Sequence, residues 1–142
     1  EMIPNEQSFV EIDPAMKDRW GIPVPRFHFR YSDYARRQTA HAQRAGAEFI
    51  EAAGGRVLPP DPGEGTISVG GSIIHEVGGA RMGTSAANSV VDAFGRSWTV
   101  PNLYVIDGAV FPTHPHKNPT LTILALAWRA CDHLTARRKY AA

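Results

Sequence analysis

The chain holds one cysteine, Cys131, in 142 residues. A single thiol cannot close an intramolecular disulfide, so a fold built on disulfides is excluded. No run of about 18 apolar residues occurs, so no transmembrane segment is expected. Neither charge dominates: 15 basic and 14 acidic residues leave a formal net charge of +1. The basic footprint of a nucleic-acid binder is therefore missing, and no nucleic acid is expected as a partner. The chain opens Glu1-Met2-Ile3-Pro4, with no initiator Met and no signal peptide. The expectation is a processed chain or a piece of a longer protein.

Several catalytic motifs are also missing. Gly63-Glu64-Gly65-Thr66-Ile67-Ser68 lacks the last Gly of a dinucleotide fingerprint and follows a Pro-rich loop rather than a strand. Gly78 to Gly83 has phosphate-loop spacing, but Thr84 stands where Lys must follow. There is no Gly-x-Ser-x-Gly elbow. His75-Glu76-Val77-Gly78-Gly79 begins like a zinc-protease motif, yet Gly79 occupies the place of the second His. His114-Pro115-His116 has no identifiable third ligand, so no metal site is expected.

What is present suits an ordinary globular domain. Hydrophobic residues make up 43% and charged residues 20%, which argues against wholesale disorder. The 13 glycines and 11 prolines promise many turns. Phe9-Val10-Glu11-Ile12 reads as a short strand ended by Asp13-Pro14. From Arg26 to Tyr31, Phe27, Phe29 and Tyr31 alternate with Arg26, His28 and Arg30. That period predicts a strand with one dry face, starting near Pro25. A helix is predicted from Tyr34 to Ala53, capped by Ser32 or Asp33 and stopped by Gly54-Gly55. Its apolar stripe is Ala42, Ala45, Phe49, Ala52 and Ala53. Arg56-Val57-Leu58 suggests another strand before a loop at Pro59-Pro60-Asp61-Pro62-Gly63.

The last third carries the chemistry. Leu103-Tyr104-Val105-Ile106 reads as a strand ending at Asp107-Gly108. Such a strand end is either a turn or a place where a ligand meets backbone. Asn118-Pro119 opens a long helix from Thr120 to about Arg138. Asn118 is either its cap or a polar group beside a ligand at the positive helix end. The first half of the helix is apolar nearly all round, so it needs an outside surface to cover it. His75 lies among glycines and is either structural or a general base.

The order of these elements is more specific than any one of them. His75 to Met82-Gly83, Val90-Val91-Asp92, Gly95-Arg96, Val100 to Gly108, Phe111-Pro112 and Asn118 to Ala127 together resemble the C-terminal part of the glucose-methanol-choline (GMC) family of FAD-dependent oxidoreductases. The likeness is strong over about His75 to Leu134. The opening, Asp13-Pro14 and Lys17 to Pro23, resembles the preceding segment in bacterial sugar-oxidising members, and His75 to Gly83 with the Asn118 to Ile123 helix start is most similar to the glucoside 3-dehydrogenases among them.

The resemblance implies an α/β fold that contributes to the FAD-binding domain and to a substrate-domain sheet. Residues 1–74 would supply substrate-domain strands and a helix, and 75–142 would complete the FAD-binding domain and active site. The fold is incomplete without an N-terminal Rossmann half, on this chain or on a second one. The implied reaction oxidises the CH–OH of a sugar or polyol. His75 would remove the hydroxyl proton, the hydride would pass to flavin N5, and Asn118 would hydrogen-bond the same oxygen. Asp107, Gly108, Pro119, Thr120 and Leu121 would contact FAD. An electron-acceptor protein, quinone or dye would reoxidise it. The compartment, periplasmic or cytoplasmic, stays open. The alternatives are a non-catalytic fragment or structural subunit without FAD, and a sugar-binding module.

Overall fold

The computed structural model describes residues 2–59, 67–72 and 74–139. From Pro60 onward the expected Pro-rich loop lies outside the described residues, as does most of the Gly63–Ser68 run. Strand β1, Phe9–Lys17, pairs antiparallel with strand β2, Pro23–His28. Val10 faces Phe27 and Ile12 faces Pro25, and the register then slips before Lys17 meets Pro23. The turn between them is built by Asp18, whose Oδ1 accepts from the Trp20 and Ile22 N–H groups at 2.8 and 2.9 Å.

β1 therefore continues past Asp13-Pro14, where an end was expected. The cause is Asp13 itself. Its carboxylate accepts from the Ala15 and Met16 N–H groups at 2.8 and 2.7 Å and pairs with Arg26 of β2 at 2.7 Å. These bonds hold the slipped stretch against the partner strand, so the chain stays extended through the irregularity. The Asp13 carboxyl is held below its ordinary value, first by the Met16 and Ala15 N–H groups, against desolvation and with help from Arg26. β2 also starts earlier than Pro25 and ends before Tyr31. Its apolar face is not dry: Phe27 is 76% exposed.

Helix α1 spans Asp33–Ala52. Ser32 caps it, its Oγ accepting from the Ala35 N–H at 3.1 Å, and Gly54 ends it with φ +81°. Its expected apolar stripe lies open, and Ala35 alone is buried. Arg56 to Leu58 forms no strand, and Leu103 to Ile106 makes only a single bridge, Arg96 to Tyr104. Among the described residues neither segment has a neighbouring strand to complete a ladder, and propensity does not make one.

Helix α2 spans Thr120–Lys139. One side of it closes the buried cluster. Val91, Val110 and Phe111 form that cluster, with Val77, Met82, Val105, Ile123 and Leu126 packed around it. The loop after Val91 is tied by Asp92, whose Oδ1 accepts from the Phe94 and Arg96 N–H groups. Phe94 then stacks on His133 of α2 at 3.8 Å, with the Arg129 guanidinium over its ring. The opposite side of α2 is open: Leu121, Leu124 and Trp128 are exposed at i, i+3 and i+7. No described helix is long and apolar enough to cross a membrane.

Candidate active site

His75 sits in the left-handed region, with φ 76°. It is the one non-glycine residue there among those described. An L-residue in this region is held there by its surroundings, and such positions gather at functional sites. The chain beyond it is anchored by a short ladder. The N–H groups of Gly78, Ala80 and Met82 donate to the carbonyls of Gly108, Ala109 and Val110 at 3.1, 2.8 and 2.8 Å. His75 is half-buried, and its ring has no hydrogen bond to a described residue.

Asp107 and Gly108 lie on the other side of that ladder. Asp107 caps a 3-10 turn over Gly108–Val110, its Oδ1 accepting from the Ala109 N–H at 2.8 Å. Gly108 is buried. A Cβ there would stand 3.1 Å from Val77 Cγ1 and 3.4 Å from Ile123 Cδ1. The position is closely covered: the His75 segment and α2 close over the Gly108 backbone. This contact joins three segments that carry expected site residues.

The start of α2 differs from the capped helix expected there. The first helical hydrogen bond runs from the Ile123 N–H to the Pro119 carbonyl, 2.9 Å. The acceptor of that bond is the cap residue, so Pro119 holds the cap position rather than Asn118. Proline has no side-chain acceptor, and the exposed Asn118 side chain bonds no described residue. No acidic residue lies in the first turn of α2, whereas α1 has Ser32 and Asp33 at its start. The leading N–H groups and positive dipole of α2 are left for an acceptor outside the helix. Pro119 is buried, while Thr120 and Leu121 are exposed beside those donors.

Other expected features lie elsewhere. His114 forms an isolated bridge with Met2 and lines an open cleft of about 500 Å³ with Tyr31, Gln38 and Thr39. That cleft includes neither His75 nor Asn118. No group of three metal-ligating side chains occurs among the described residues. The residues that sequence reasoning overlooked are Val77 and Ile123, which hold the segments together. Their only sequence signal is apolar character, Val77 beside Gly78 and Ile123 within an apolar helix.

A sequence model of the GMC oxidoreductase family matches residues 4–127. The chain belongs to the GMC oxidoreductase family. Within it, the chain is similar to a 2-methyl-1,2-propanediol dehydrogenase of Mycolicibacterium austroafricanum, with 35% identity over 96% of this chain and 24% of that protein. It is 34% identical to a C-glycoside 3-oxidase of Arthrobacter globiformis, over 84% of this chain and 22% of the relative. It is 29% identical to the fructose dehydrogenase large subunit of Gluconobacter japonicus, over 93% of this chain and 23% of that subunit. This GMC chain thus spans about a quarter of the length of the curated relatives it matches.

Proposed function

We propose that this chain is the C-terminal part of an FAD-dependent oxidoreductase acting on the CH–OH group of a sugar or polyol. Residues 1–74 serve the substrate domain, and residues 75–142 complete the FAD-binding domain and the active site. The observation that carries the reading is the uncapped start of α2 beside Asn118, in a GMC chain whose His75 is held left-handed nearby in the sequence order of the site. Bound FAD supplies the hydride acceptor. An open helix N-terminus suits a ligand edge that gains negative charge. Pro119, Thr120 and Leu121 form that edge of the site, and Asp107 and Gly108 contribute from the 3-10 turn.

His75 removes the hydroxyl proton as hydride leaves the same carbon. An alcohol does not ionise near neutral pH, and a positioned base contributes about 10²–10⁴-fold to such a step. Asn118 donates a hydrogen bond to the substrate oxygen as charge grows on it. An amide does this without titrating. The remaining FAD contacts come from a Rossmann half outside residues 1–142, on the same polypeptide or on a second one. That half covers Leu121, Leu124 and Trp128, and an electron acceptor reoxidises the flavin.

The test starts with native mass spectrometry of the protein purified from its source, then denaturation to identify what it releases. FAD should come with it, and sugars or polyols should bleach the flavin under anaerobic conditions. Asn118→Asp should fold and keep FAD but reduce it at least 10-fold more slowly. A protein that carries no FAD is instead the non-catalytic subunit, and the oxidoreductase reading falls.

A further inference from the structure

The half-buried Val77 lies two residues beyond His75 and is the nearest described side chain after it packed on the buried cluster. Between them Glu76 is exposed, and before them Ile74 is 71% exposed. Among the described residues flanking His75, Val77 is therefore its close apolar anchor. Val77 Cγ1 lies 3.1 Å from the place a Cβ on Gly108 would take, and Ile123 of α2 closes the same spot. The Gly78 N–H to Gly108 carbonyl bond, 3.1 Å, fixes the next residue. Together these contacts tie the backbone beside His75 to the backbone beside the start of α2.

We propose that Val77 is a positioning residue that sets the His75 imidazole relative to Asn118 and the substrate. It touches no reacting atom. Its branched side chain closes over Gly108 beside Ile123 and so holds the segment that keeps His75 left-handed. A shorter side chain leaves a gap over Gly108 and loosens the chain on the His75 side of the Gly78 hydrogen bond. A displacement near 1 Å can cost about 100-fold in rate, because a base works only within hydrogen-bond reach of its proton. The inference rests on the role proposed above for His75.

The experiment compares Val77→Ala, Val77→Thr and Leu126→Ala in the complete FAD-loaded enzyme. Leu126 packs on the same cluster from within α2 and controls for lost packing. Val77→Ala should keep FAD, hold KM within about twofold and lower kcat about 100-fold. Its primary deuterium isotope effect on flavin reduction should change, since the proton and hydride steps lose their alignment. Val77→Thr keeps the branched shape and should restore most of kcat. Leu126→Ala should lose stability yet keep the parental kcat. If Val77→Ala does not fold, Val77→Leu, which moves the branch one carbon out, should show the same selective loss of kcat. The proposal is overturned if Val77→Ala slows turnover no more than Leu126→Ala, or if Val77→Thr is as slow as Val77→Ala. It also falls if the loss appears in KM alone. Failure of the underlying reading looks different: a His75→Ala enzyme would then turn over at the parental rate.

Discussion

The backbone at His75 allows its catalytic and conformational roles to be separated by two substitutions. His75→Gly and His75→Ala both remove the imidazole, so both should lower flavin reduction by about 10²–10⁴-fold. They differ in what the left-handed φ of 76° demands. Alanine keeps the clash between Cβ and the carbonyl, worth about 1–2 kcal/mol in this region. Glycine removes it but adds about 0.5–1 kcal/mol of unfolded-state entropy. His75→Gly should therefore be about 0.5–1 kcal/mol more stable than His75→Ala, against the usual order at ordinary backbone angles. The assay is denaturant unfolding of the assembled enzyme, with flavin retention recorded alongside anaerobic flavin reduction. An alanine variant at least as stable as the glycine one would refute the strained backbone. Parental reduction rates in either variant would refute the base.

Two further outcomes follow from the packing and the electrostatics. Gly108→Ala places a Cβ 3.1 Å from Val77 Cγ1 and 3.4 Å from Ile123 Cδ1, and should cost about 1–3 kcal/mol of stability in unfolding experiments. An unchanged unfolding midpoint would mean that the three segments do not close over this residue. Asp13 is held below its ordinary value of 3.8, so its contribution to stability is fully present above that value and is lost as pH falls through the depressed one. Thermal unfolding should show an acid-side loss that Asp13→Asn flattens, with Asn being less stable than Asp at neutral pH.

The two helices were legible in the sequence because their determinants are local. Ser32, Gly54, Pro119 and the spacing of apolar residues act within a few positions along the chain. The strands were less legible. β1 and β2 were placed, but β1 outruns Asp13-Pro14 because Asp13 binds Arg26 on the other strand. Arg56 to Leu58 has strand composition and no partner strand among the described residues. Propensity is a local quantity, while a ladder needs a second chain segment.

The candidate site divides along the same line. The order of His75, Asp107-Gly108 and Asn118-Pro119 is written in the sequence, and membership of the GMC oxidoreductase family follows from it. Three things needed the tertiary structure. His75 is left-handed, which no neighbouring residue type requires. Gly108 is closely covered because Val77 and Ile123 arrive from segments distant in the chain. The start of α2 is uncapped because the first helical bond falls on the Pro119 carbonyl instead of Asn118. Short-range patterns along the chain specify the helices, the family and the residue types at the site. Only the folded chain decided how closely the segments approach, because that depends on side chains filling a shared volume.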